Sequence, residues 1–313
     1  ITTELILVEW NPPPDRDPLY KALVFPQESS YLTIRVLVVP PRIHQRYENA
    51  HLSPINNSVA VNCGIRRARG QFVVLRASDI IWSEEVLALL AAGQLEPNSK
   101  YRCTRCDVAA EVLEYHHWTV AQKLEFCREH VTTRMIKMKY YVGGLPDLRL
   151  NSDGDFQLLS LDNMKKLRGY RECAQINSSY CDGLLEFCAY AAGIKDVLLD
   201  CSIYKIEHGS SYRNRILQSI IPFPAWLGRF IPANLFGPSF VRLARASGIS
   251  RWLYDTRVIK VRGIRQPTRR EYYELCKKIV RGQAGYVLNE EDWGLANEAL
   301  AENCVLKANW DRS

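Results

Sequence analysis

Asn151-Ser-Asp-Gly-Asp-Phe-Gln-Leu-Leu-Ser160, followed by Met164-Lys-Lys-Leu-Arg-Gly-Tyr-Arg-Glu172 and then by Asp182 at the head of an apolar helix, decides how this chain is read. Gly154 lets the backbone come close to a ligand, and Phe156, Leu158 and Leu159 anchor a strand in the core. Gly169-Tyr170 ends the intervening helix with a left-handed turn. Ser178 or Ser179 is expected to cap the next helix, whose Leu184, Leu185, Cys188, Ala189 and Ala192 mark one buried face before Gly193 stops it. A lone Asp near a helix start is most often a cap or a dipole partner. Here the order of strand, short helix, Gly-aromatic turn and carboxylate makes Asp182 a candidate for chemistry.

Upstream, the pattern is that of an α/β chain. Glu4-Leu-Ile-Leu-Val-Glu9 is an apolar run halted by Trp10-Asn11-Pro12-Pro13-Pro14, as in a buried strand that ends in a functional loop. Ile34-Arg-Val-Leu-Val-Val39 before Pro40-Pro41 repeats it. Asn56 to Arg69 carries Val61, Ile65 and Ala68 at helical spacing with Gly70 as its stop, and Gln71-Phe-Val-Val-Leu75 runs into Arg76-Ala-Ser-Asp79-Ile-Ile-Trp82. Strand, loop, strand, helix, strand predicts an α/β sandwich with ligand loops at the carboxyl ends of parallel strands.

Composition sets the bounds. With 313 residues, 47% hydrophobic and 24% charged, the chain can hold one large α/β domain with appendages, and it shows no low-complexity tract or internal repeat. Its longest apolar stretches, Ile216 to Gly228 and Ile231 to Val241, are broken by Pro222, Pro224, Pro232 and Pro238 and fall short of the roughly 20 residues a membrane span needs. The ten cysteines lie among apolar neighbours, which points to reduced thiols and a cytoplasmic setting. Cys103-Thr-Arg-Cys106 with His116-His117 resembles a zinc signature, yet residues three apart on a strand point to opposite faces, so the two thiols are not expected to converge.

The blocks Leu5-Ile-Leu-Val-Glu-Trp-Asn11, Asn62-Cys-Gly-Ile-Arg-Arg-Ala-Arg-Gly70, Phe72 to Asp79 and Gly154-Asp-Phe-Gln157 together resemble family 2 glycosyltransferases of the GT-A fold, over about residues 4 to 210. The resemblance implies a three-layer α/β sandwich with a mostly parallel central sheet. Glu4 to Asn11 is most similar to the second strand of that fold, so the opening strand is expected to be missing and the chain to be a truncated form. It implies transfer of a sugar from a nucleoside-diphosphate sugar to an acceptor hydroxyl, by inversion, with Asp182 as general base. Glu9 and Asn11 would contact the nucleoside, Asn62 would line its pocket, and Arg66 and Arg67 would meet the diphosphate with paired donors. Gly154 and Asp155 would border the donor sugar and acceptor. Asp79 falls at the family's Asp-x-Asp metal motif, which here holds one acid, and His208 in Tyr204-Lys-Ile-Glu-His208 would supply the second ligand to Mn²⁺ or Mg²⁺.

Residues 1–210 are thus expected to form the GT-A domain and 211–313 a basic, largely helical extension packed on it. Between Phe240 and Arg281 twelve Lys or Arg face three acids, a surplus of nine on a chain of net charge +7. The basic character is therefore local, and suits a phosphate-bearing substrate, a membrane surface or a solvated face. Residues 215–245, rich in Phe, Trp, Pro and Arg, are a candidate for peripheral membrane contact. The acceptor is expected to be a glycan, a lipid-linked molecule or a protein. Two other classes compete: a non-catalytic GT-A scaffold that binds nucleotide sugars, and a nucleic-acid binder, which the lack of any recognised motif disfavours.

Overall fold

The computed structural model describes residues 1–134, 144–148, 154–176, 180–207, 260–261 and 264–308. Strand β1 (Thr3–Trp10), a turn of helix α1 (Leu19–Ala22), β2 (Leu32–Val39), α2 (Pro41–His44) and α3 (Asn57–Arg67) open the chain. β3 (Phe72–Arg76), β4 (Ile80–Trp82), α4 (Glu84–Ala92), β5 (Ser99–Val108), α5 (Val120–Glu129) and β6 (Val131–Arg134) follow. Then come β7 (Phe156–Ser160), α6 (Leu161–Leu167), α7 (Cys181–Ala191) and β8 (Lys195–Ile206). The described part of the remainder holds β9 (Lys260–Val261), β10 (Ile264–Arg265), α8 (Arg269–Val280) and β11 (Ala301–Leu306).

The architecture is mixed α/β, built on two main sheets. One has the order β1-β2-β11; the other has six strands in the order β3-β7-β5-β8-β4, with β6 also paired to β5. Only β1 with β2 and β5 with β8 run parallel among the pairs of these sheets. The expected mostly parallel sheet is therefore a mixed one. β7 lies between β3 and β5 and runs against both, and β4 and β6 run against β8 and β5. A short apolar run such as Phe-Gln-Leu-Leu has the same composition whichever way it pairs.

Burial follows the strand period of two. On β7, Phe156 and Leu158 enter a core with Ile80, Val86 of α4, Tyr101 and Ile203, whereas Leu159 enters a larger one built from α6, α7 and α8. Helix α3 packs on β1, α6 on β3 and α3 on α6, so one helical layer serves both sheets. β1 and β3 each pair on one side only among the described residues.

β11, far along the sequence, belongs to the first sheet. β11 pairs antiparallel with β2, and α8 packs on α7. Capping boxes at Thr268 and Thr119 start α8 and α5, while Ser83 and Ser160 cap α4 and α6. Asn289 ties the segment before β11 to the turn after α6: Oδ1 accepts the Glu172 N–H and Nδ2 donates to the Arg168 and Tyr170 carbonyls. No helix follows it among the described residues. No helix there is long and apolar enough to cross a membrane.

Candidate functional site

At one end of the six-stranded sheet β3, β5 and β8 finish and β7 begins. Arg76 pairs with Phe156 across β3 and β7, and Asp107 with Lys205 across β5 and β8. That register delivers Asp79, Asp155, Arg105, Asp107 and Lys205 to one place, outside the carboxyl ends of three strands, where open α/β sheets bind ligands.

The contacts are direct. Asp155 is buried and shared by two cations: Lys205 Nζ donates to Oδ1 at 2.6 Å and Arg105 Nη1 to Oδ2 at 2.7 Å. Arg105, itself buried, is fixed by Asp107, with Nε to Oδ1 at 2.7 Å and Nη2 to Oδ2 at 3.2 Å. Burial works against the guanidinium charge, but the Asp107 fork and Asp155 outweigh it and hold its pKa above the usual value. Lys205 Nζ also lies 3.6 Å from Asp79 Oδ2. The Arg76 guanidinium, stacked over Trp82 at 5.6 Å, adds a second cation within reach of the Asp79 charge.

Asp182 joins the same group from the first turn of α7. A Cβ on Gly154 would lie 2.7 Å from Asp182 Oδ2, so the glycine makes room for this carboxylate against the backbone that carries Asp155. Desolvation pushes the Asp182 pKa up. The Asp155 charge adds to that effect, against the backbone N–H groups of Gly183 and Asp182 and the charge of Lys205. An acid near a helix start with a raised pKa is a stronger base than an ordinary carboxylate and is suited to accepting a proton. The helix is held at this height by Gln157, whose Nε2 donates to the Asp182 carbonyl at 3.2 Å and to Glu186 Oε1 at 2.6 Å.

No family model matches the chain. No curated protein matches it either.

The other expected site residues divide into three groups. Glu9 and Asn11 sit at the carboxyl end of β1, and their bonds go to Leu19, Val39 and Pro54 rather than to the carboxylate cluster. Glu9 is buried with Oε1 accepting the Leu19 N–H, while Oε2 has no hydrogen-bond partner among the described residues. A buried orphan acceptor is costly unless something binds it. Asn62, Arg66 and Arg67 are engaged in holding the fold. Asn62 is fully buried; Nδ2 donates to the Tyr170 carbonyl and Glu172, and Oδ1 accepts the Tyr170 N–H. Gly169 has φ +67° and a Cβ there would lie 2.2 Å from Asn62 Oδ1, which is why Gly-Tyr stands in that turn. Arg66 stacks on Trp293 and donates to its carbonyl. Arg67 donates to the carbonyls of Cys63, Gly294, Leu295 and Glu298. Their donors meet protein carbonyls, not an open phosphate site. His208 lies outside the described residues, as do Ser178 and Ser179.

The metal fits poorly. Among the described residues no group of three or more His, Cys, Asp or Glu is arranged to hold an ion. Asp79 offers one carboxylate with cations on either side, where Mn²⁺ or Mg²⁺ needs several anionic or neutral oxygens. The cysteines form no disulfide, and Cys103 and Cys106 enter different cores, as their spacing on β5 requires. Lys205, Arg105, Asp107 and Gln157 were not singled out from the sequence, because a charge within a strand reads first as a solvated face. An Arg-x-Asp pair at strand spacing, Arg105 and Asp107, was the available signal.

Proposed function

We propose that the chain is a GT-A-like glycosyltransferase that moves a sugar from a nucleoside-diphosphate sugar to an acceptor hydroxyl, with Asp182 as base. The observation that carries the reading is the convergence of Asp79, Asp155 and Asp182, separated by up to about a hundred residues, at the carboxyl ends of β3, β5 and β8. The raised pKa of Asp182 suits a general base. Glu9, with its orphan oxygen at the end of β1, suits an N–H or hydroxyl of the nucleoside. The two half-paired strands β1 and β3 beneath one helical layer suit the GT-A sheet.

In this reading the acceptor oxygen attacks the anomeric carbon as its proton passes to Asp182, and the diphosphate leaves on the opposite face. One positioned base gives inversion. The acceptor is taken as a glycan, a lipid-linked molecule or a protein, in a cytoplasmic or membrane-peripheral setting. The segment proposed for such contact, 215–245, lies outside the described residues. One observation favours the second reading, a nucleotide-sugar-binding scaffold without turnover: Asp79 lies 3.6 Å from the Lys205 ammonium and within reach of the Arg76 charge.

Thermal unfolding of the full chain with UDP, GDP and dTDP sugars, each with and without Mn²⁺, tests the donor site, and release of free sugar tests turnover. Stabilisation with slow hydrolysis is expected for one nucleotide. If none of the sugars moves the melting temperature, the reading is lost; stabilisation without turnover selects the scaffold.

A further inference from the structure

We infer that the Lys205 ammonium, not a divalent cation, meets the donor diphosphate; this rests on the nucleotide-sugar reading above. A GT-A site needs positive charge beside the diphosphate, since the leaving group gains charge as its bond to the sugar breaks. The described residues supply that charge as lysine. Lys205 Nζ lies 2.6 Å from Asp155 and 3.6 Å from Asp79, so the ammonium is the cation that these two carboxylates share.

The lysine is built in. Both oxygens of Asp155 are occupied, one by Lys205 and one by Arg105, and Arg105 is locked in turn by Asp107. This chain of alternating charges fixes the ammonium without consuming it, because an ammonium carries three donors and, among the described residues, Lys205 makes one hydrogen bond, to Asp155. Its side chain keeps 22% of its surface exposed, against 6% for Asp155, so the cation is the member of the pair that an incoming phosphate reaches. Lys205 Nζ stands 3.6 Å from the Asp79 oxygen that a dication would bind, with Arg76 nearby, and like charges brought that close repel.

The step balances without a metal. The acceptor oxygen forms its bond to the anomeric carbon, the hydroxyl proton moves to Asp182, the carbon–oxygen bond to the diphosphate breaks, and the electron pair stays on the diphosphate oxygen beside Lys205.

The test is titration calorimetry on the full chain with UDP, GDP and dTDP as probes, in chelator or in Mn²⁺. The inference expects wild-type protein to bind one of them about equally well in both, and Lys205→Met to weaken that binding by about tenfold or more, with Lys205→Arg restoring most of it. Asp79→Asn gives the opposite sign for the two ideas: removing a carboxylate near the phosphates keeps or tightens binding in chelator if Lys205 is the cation, and abolishes binding if Asp79 holds a metal. This arm and the wild-type comparison stand even where Lys205→Met fails to fold. Binding by wild type only in Mn²⁺, or a Lys205→Met protein that binds like wild type, overturns the lysine while leaving the donor site standing. No binding by wild type in either buffer removes both.

Discussion

Helix α7 carries two acids one turn apart, Asp182 and Glu186, and the molecule treats them in opposite ways. Glu186 is buried at 1% exposure and clasped by Lys100, Gln157 Nε2 and, at 3.7 Å, Arg102. Lys100 and Arg102 also share Asp196, whose pKa falls despite its burial because both cations face it. Tyr170 closes the network by donating to Gln157 Oε1. Every charge there has a counter-charge, which is how an interior tolerates ions. Asp182 accepts backbone N–H groups and, among the described residues, makes no ion pair, and its pKa rises. Balanced charge marks a part that holds the helix; charge left partly uncompensated beside Gly154 and Lys205 marks a part suited to chemistry.

The sharpest way to break that comparison is Asp182→Asn. Transfer should fall about 10²- to 10⁴-fold, the usual contribution of a positioned base, while the melting temperature at neutral pH rises. The sign follows from linkage: a folded-state carboxyl with a raised pKa holds its proton where the unfolded chain has released it. Stability from this group is therefore greatest at or below the ordinary aspartate pKa and declines as pH climbs through the raised value. Activity runs the other way, increasing with pH over the same window, and the Asn variant should lose both dependences. A lower melting temperature for Asp182→Asn would place the residue with Glu186 as a holding group.

Glu186→Ala should do the reverse. It leaves the Lys100 and Arg102 charges in the core without the Glu186 carboxylate, and a broken buried pair costs about 3–5 kcal/mol, readable as a lower urea midpoint. Activity per folded molecule should change much less than stability. Should the urea midpoint stay put, the network is not what holds α7.

Gly154→Ala refines the boundary between the two. Its φ is not in the left-handed region, so the added methyl acts by contact alone, 2.7 Å from Asp182 Oδ2. The carboxylate must turn aside, and a loss of about tenfold in kcat with a small change in stability is expected. An unaltered kcat would show that the position of that oxygen does not matter.

The local features of α7 and β7 were legible because local patterning dictates them. The apolar side of α7, its start near Cys181 and its stop at Gly193 follow from helical spacing and a glycine at φ +77°. Strands β1, β2, β3 and β7 stand within a few residues of the apolar runs that announced them. Asn62, Arg66 and Arg67 make bonds to their own chain that the sequence did not announce, since a segment that resembles a nucleotide-binding helix can also clasp its own chain, and which carbonyls lie opposite is invisible in one sequence.

What the sequence alone determined, then, is the set of elements, the burial side of each, and the candidacy of Asp79, Asp155 and Asp182 for one site. These depend on spacing along a few consecutive turns or strand residues. Only the tertiary structure decided that β7 runs antiparallel between β3 and β5, that β11 completes the first sheet, and that Lys205 stands between Asp155 and Asp79. Strand direction and ion pairing depend on which distant segments share an edge, and the interactions that select those edges act across tens to hundreds of residues rather than within a window.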